Sequence, residues 1–196
     1  MADDTGGPHR LCDVVKFGAH RFHGVADATL PHDEGWRFLQ LGCYLERAEM
    51  TTRLVDVQYQ NLLETPDSLG DARDHQWMAV LKSVGAYEAY RRKYYSQIQP
   101  ERVAELLILN PQHPRSILFS INEVQINQRA LSGTMPGYYS NEGERMSGKL
   151  LERLRYDKIE DIFGQGLHSY LTELLASCEA IGQNVSSWYF YYPVTA

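Results

Sequence analysis

The chain has 196 residues, 43% hydrophobic and 22% charged, with 15 Gly and 8 Pro, which is ordinary globular composition and enough length for one domain with its own core. Acidic residues outnumber basic ones by 25 to 19, a formal charge of −6, so a basic face that tracks nucleic-acid phosphates is excluded as the default and no nucleic-acid partner is expected. No run of about 18 apolar residues is present, and the start, Met1-Ala2-Asp3-Asp4, has neither a basic opening nor an apolar stretch, so no membrane span or export is expected and the location reads as cytoplasmic.

Residues 1–8 read as a flexible N-terminus and 9–196 as a single helical domain. A first helix is predicted from about Arg10 to Ala28, with Leu11, Val15, Gly18, Phe22 and Val25 recurring every three or four positions. In it, His20 and His23 have helix-compatible ligand spacing, but two imidazoles without acidic or thiol neighbours read as ordinary histidines. The next helix is predicted from an N-cap at Asp33 to Glu64, just before Thr65-Pro66. Phe38, Leu41, Leu45, Ala48, Thr52, Val55, Tyr59 and Leu62 form a seam spaced alternately 3 and 4 residues apart. A second set, Trp36, Leu39, Cys43, Met50, Leu54 and Val57, falls roughly opposite, so this helix is predicted to be covered on two sides and to run through the middle of a bundle.

Further along, Asp74 is predicted to cap a helix bearing Trp77, Leu81, Val84 and Glu88 as far as about Tyr95. Pro100 opens a short helix that stops at Asn110, and Pro114 opens one through Ile117, Leu118, Ile121 and Val124 to near Ser132-Gly133. Asn141 with Glu144, and Asp157 with Glu160, resemble capping boxes that divide the remaining chain into two helices. The last carries a seam of Phe163, Leu167, Tyr170, Leu174, Cys178, Ile181, Val185 and Trp188. With no strand-like alternation, the fold class is all-α, a multi-helix bundle with a long central helix. Cys12, Cys43 and Cys178 lie far apart with no CxxC, which suits small core residues rather than a disulfide framework or zinc site.

Charged residues at seam edges are the candidates for chemistry. Glu46 lies between Cys43 and Met50, with Arg53 on the same side two turns on, while Arg47 points about 100° away; Glu46 and Arg47 therefore look to different helices. Glu88 sits on the seam of Trp77, Leu81 and Val84, with Arg91 and Arg92 a turn later. Interhelical ion pairs that fix register are the simpler account, a ligand site the alternative, and Glu88 is expected to share one network with Arg47. No Glu-x-x-His supports a di-metal centre, and neither a GxSxG elbow nor a GxxxxGK[ST] loop is present, so no catalytic residue, metal or cofactor is assigned. Tyrosines cluster at 87, 90, 94 and 95 and again at 189, 191 and 192, a pattern that suits contact with another chain or packing between helices.

The stretch His32-Asp-Glu-Gly-Trp-Arg-Phe-Leu-Gln-Leu-Gly-Cys-Tyr-Leu-Glu-Arg-Ala-Glu-Met-Thr-Thr-Arg-Leu-Val-Asp56 resembles the signature of the bacterial alpha-E domain family, whose Glu-Arg motif corresponds to Glu46-Arg47. Two further blocks follow in order, Trp77 to Arg91 and Leu106 to Ser116. The resemblance covers the chain from about Leu11 and corresponds to the C-terminal part of the family pattern; Cys43 stands where the family more often has Arg. It implies an all-helical protein that acts beside circularly permuted ATP-grasp and transglutaminase-like proteins in peptide ligation or modification. It also implies that Glu46, Arg47, Glu88, Arg91, Arg115 and Ser116 matter, with Arg53 added from the polar pattern. Two functions follow: a non-catalytic helical partner of such a system, preferred here, or an enzyme or small-ligand binder that grips a carboxylate or phosphate with an interhelical Glu/Arg site. If the family's earlier helix is missing, one stripe of the central helix lacks its cover, and a homodimer through the side of Trp36, Leu39, Met50 and Val57, or the opposite side, is expected.

Overall fold

The computed structural model describes residues 7–64, 70–95 and 97–190, and every regular element among them is an α-helix. Among the described residues the nine helices are α1 (Pro8–Thr29), α2 (Glu34–Glu64), α3 (Gly70–Ser83), α4 (Tyr87–Tyr94), α5 (Pro100–Leu109), α6 (Ile117–Ser132), α7 (Glu142–Tyr156), α8 (Ile159–Gln165) and α9 (Leu167–Phe190). The all-α class is as the sequence predicts. The chain predicted as one domain over 9–196 divides into two compact units, Met1–Trp36 and Arg37–Ala196, and the flexible stretch predicted over 1–8 lies, as far as residue 6, outside the described residues.

The N-terminal unit is mostly α1, which opens on Pro8, a residue whose missing N–H costs nothing in a first turn. Its seam is turned to solvent: Leu11, Val15, Phe22 and Val25 are each more than half exposed. The predicted cap before α2 forms, with the Asp33 carboxylate accepting from the Trp36 N–H at 3.3 Å, and the His32 ring stacks on Trp36 at 4.0 Å between centroids.

In the C-terminal unit the most enclosed element is α5, where Val103, Ala104, Leu106, Leu107 and Ile108 are all buried and which packs against α3, α4, α6, α7 and α8. The first seam of α2 joins this core through Leu41, Leu45, Ala48, Thr52 and Val55, and Gly182 of α9 lets the Leu45 side chain approach closely. The second stripe, predicted to be covered as well, leaves Met50 and Val57 about half exposed. In α9 the seam is buried from Leu167 to Val185, while Trp188 is exposed.

Two predicted long helices are each broken at a glycine. Gly85 adopts φ +67° and separates α3 from α4, so Asp74, predicted as a cap, lies inside α3. Gly166, at φ +100°, separates α8 from α9. Asp157 does not cap α8 but ends α7 as its C-cap, its N–H donating to the Arg153 carbonyl at 2.9 Å; its carboxylate accepts the Tyr170 hydroxyl at 2.7 Å and faces Arg153 at 3.5 Å, which leaves α8 without a side-chain cap. The Asn141 cap does form, its side-chain oxygen accepting from the Glu144 N–H at 3.0 Å, although Glu144 returns its carboxylate to the N–H of Ser140 rather than to that of Asn141. Of the three cysteines only Cys178 is a core residue, its thiol pushed up to about 12 by burial; Cys43 is half-buried and Cys12 exposed.

Candidate functional site

Where α5 ends, the chain must turn sharply to start α6, and short polar side chains supply the bonds that helix ends lack. The Asn110 side-chain oxygen accepts from the N–H groups of Gln112 (2.8 Å) and His113 (2.9 Å). Ser116, fully buried, caps α6 by accepting from the Phe119 N–H at 3.0 Å and donates its own proton to the Asn110 carbonyl, so one hydroxyl closes the loop at both ends. The predicted start at Pro114 is thus three residues before the first helical residue, Ile117; proline supplies no side-chain acceptor, and the cap is Ser116.

The Glu-Arg helix pins this loop from the side. The Thr51 hydroxyl donates to the Arg115 carbonyl at 3.0 Å, and the Arg47 guanidinium donates to the Pro114 carbonyl at 3.4 Å while lying 4.7 Å from the centre of the Tyr44 ring. Two of the blocks singled out in the sequence therefore meet in space, but through main-chain carbonyls. His113 sits within the turn, and burial, with the Arg115 guanidinium nearby, holds its imidazole below the usual histidine range.

The other predicted residues do not join them. Arg53 faces Glu49 at 3.7 Å and bridges to Glu179 of α9 at 3.2 Å; burial holds the Glu49 carboxyl above the ordinary carboxylate range against the pull of Arg53. Glu46 is exposed, so it needs no ion partner from another helix. Glu88 and Arg91 are also exposed, and among the described residues no hydrogen bond or ion pair joins Glu88 to Arg47. That network fails because the break at Gly85 resets the helical phase, which removes Glu88 from the line of Trp77, Leu81 and Val84 and brings Tyr90 inside instead. The buried Tyr90 hydroxyl donates to the Gln97 carbonyl (3.1 Å) and accepts from the Gln99 N–H (3.0 Å), so this tyrosine ties a turn rather than offering a contact surface. Tyr191 and Tyr192 lie outside the described residues.

A polar layer between α6 and α7 was not singled out in the sequence. Gln125, Gln128, Glu144 and Ser147 are all buried there. The helices meet at small residues: a Cβ at Gly143 would stand 3.3 Å from the Gln128 amide nitrogen, and one at Gly148 would stand 3.5 Å from the Gln125 amide oxygen. Ser147 donates to the Gln125 amide at 2.6 Å, and the Glu144 carboxylate accepts from the Ser140 N–H (2.9 Å), the Ser140 hydroxyl (3.0 Å) and the Asn141 amide (3.2 Å). Donors at the N-terminus of α7 therefore satisfy the buried Glu144 carboxyl oxygens. Beside the layer lies a cavity of about 520 Å³. The sequence signal that could have pointed here is two glutamines three residues apart on an apolar helix, facing Gly143, Ser147 and Gly148 on the next. Among the described residues no cluster of three His, Cys, Asp or Glu could hold a metal ion, and no helix is long and apolar enough to cross a membrane.

The family model Alpha-E, described as a predicted alpha-helical domain with a conserved ER motif, matches residues 1–190. An uncharacterized protein of Mycobacterium tuberculosis is 26% identical over 166 residues, a stretch that covers 83% of this chain and 18% of that protein, and an uncharacterized protein of Mycobacterium bovis matches to the same extent. The chain thus spans less than a fifth of the length of these curated relatives. No solved structure matches.

Proposed function

The chain belongs to the Alpha-E family, and from that premise we propose that it is a non-catalytic helical partner in a cytoplasmic peptide-ligation or peptide-modification system, docking on an ATP-grasp type enzyme. The observation that carries this reading is the exposed seam of α1: Leu11, Val15, Phe22 and Val25, spaced 4, 7 and 3 residues apart with Gly18 between, are 53–66% exposed on one helix. A stripe of this kind amounts to a few hundred Å² of apolar surface, which suits a protein partner better than water. The motif residues add support, because the Arg47 guanidinium and the Ser116 hydroxyl are spent on closing the α5–α6 loop, which Arg115 joins through its main-chain carbonyl. The competing Glu/Arg ligand site needs Glu46, Arg47, Glu88 and Arg91 around one opening, and the exposure of Glu46, Glu88 and Arg91 gives it no support. That a relative carries a matching segment within a much longer chain suits a module that works beside other domains.

The test is reconstitution with a purified circularly permuted ATP-grasp protein and, separately, a transglutaminase-like protein, followed by light scattering at micromolar concentration. A heteromeric complex with the ATP-grasp protein, weakened tenfold or more by Phe22→Glu, supports the proposal. Absence of any complex with it overturns it, as does a homodimer that Phe22→Glu converts to monomers, since the seam would then belong to a second copy.

A further inference from the structure

We propose that the cavity between α6 and α7 binds a small organic oxyanion, a carboxylate or phosphate group carried on a flat apolar body. At about 520 Å³ the cavity lies in the range of ordinary small-molecule sites. Its polar walls hold three cations, Arg129, Arg145 and Lys149, and two carboxylates, Glu144 and Glu152. Most of these charges are already engaged. Arg145 is held by Glu142, Glu152 pairs with Arg155 at 2.7 Å, and the Glu144 oxygens are turned to Ser140 and Asn141. Arg129 and Lys149 are left: no ion pair to either is formed among the described residues, although the Lys149 charge is felt by Glu142.

Arg129 supplies a second, independent sign. Its Nε is shut off from solvent with no hydrogen-bond acceptor among the described residues. That nitrogen faces protein, and another part of the Arg129 side chain lines the cavity; a guanidinium stays charged, and with no ion pair to it among the described residues its charge is available to an oxyanion there. Lys149, exposed one helix away on the same cavity, adds a point charge that a bound anion would share.

The apolar part of the ligand is read from the mouth. Met135-Pro136-Gly137-Tyr138 forms a tight turn, with the Tyr138 N–H bonded to the Met135 carbonyl at 3.2 Å and Gly137 at φ +87°, the conformation proline followed by glycine favours. This turn presents Tyr138 and Tyr139, which are 73% and 60% exposed, on the cavity wall. Two open tyrosine rings beside two cations fit a planar body that stacks while its oxyanion is gripped. The site is built wholly from residues of the C-terminal unit, so it stands whether or not the docking partner proposed above is correct.

Calorimetric titration of the intact chain with phenyl phosphate, benzoate, inorganic phosphate and benzyl alcohol tests the proposal. Phenyl phosphate or benzoate is expected to bind at least tenfold more tightly than benzyl alcohol, and whichever binds more tightly identifies the oxyanion as phosphate or carboxylate. Arg129→Gln and Lys149→Gln are each expected to weaken that binding about tenfold, the scale of one charge-assisted contact. Tyr138→Ala should weaken the aromatic probes more than inorganic phosphate, and Arg53→Gln, on α2, should change nothing. Because Lys149 is exposed, its variant keeps the fold and the test stands even if Arg129→Gln unfolds. Absence of binding by every probe at about 10 mM, or binding indifferent to Lys149→Gln, overturns the proposal.

Discussion

Ser116→Ala removes one oxygen from a fully buried position and breaks two bonds at once. The first is the α6 cap, in which Oγ accepts from the Phe119 N–H at 3.0 Å; losing such a cap costs about 1 kcal/mol. The second is donation to the Asn110 carbonyl, which then sits in the closed loop without this donor and adds about 1–2 kcal/mol. The sum, about 2–3 kcal/mol, corresponds to a fall in melting temperature of about 5–10 °C for a chain of this length. Urea unfolding followed by circular dichroism should show a lower midpoint with an unchanged slope, because the folded surface is the same. Once folded, the variant should bind any partner as the parent does. A stability change below about 0.5 kcal/mol together with lost binding would refute the reasoning and make Ser116 a contact residue instead of a loop closure.

Three further outcomes follow from the same geometry. Glu88→Gln should change stability by less than about 0.5 kcal/mol, as an exposed side chain does, and a double-mutant cycle with Arg47→Met should return no coupling; a coupling above about 1 kcal/mol would restore the network. Gly182→Val should destabilise by about 1–2 kcal/mol in denaturant titration despite removing a mid-helix glycine, since a Cβ there already lies 3.1 Å from a Leu45 methyl; a neutral result would mean α2 and α9 are not so close. Burial, with the Arg115 charge, holds His113 below the ordinary histidine pKa of about 6.5, so its contribution is fully present above that value and is lost as pH falls from it through the lowered one; His113→Gln should flatten the stability profile as pH falls below about 6.5, and an unchanged slope would count against the buried setting.

By itself the sequence determined the fold class, the positions of most helices and the buried seams of α2 and α9, because hydrophobic period is a local property that survives without knowledge of neighbours. It also determined the caps at Asp33 and Asn141, whose acceptor and donor are three residues apart. It could not decide which glycines break a helix. Gly42, Gly148 and Gly182 remain inside helices, whereas Gly85 and Gly166 take positive φ and divide α3 from α4 and α8 from α9. The intrinsic penalty is the same, about 1 kcal/mol, and packing elsewhere chooses between them. That choice moved Glu88 out of a seam and so dissolved the predicted charge network. Arg47 illustrates the other limit: its partner is the carbonyl of Pro114, 67 positions on, and a main-chain carbonyl carries no side-chain identity to find in a sequence. The polar layer and cavity at α6 and α7 were decided by tertiary structure alone, because Gln125 and Gln128 become a site only when Gly143, Ser147 and Gly148 let a second helix come close enough to bury them.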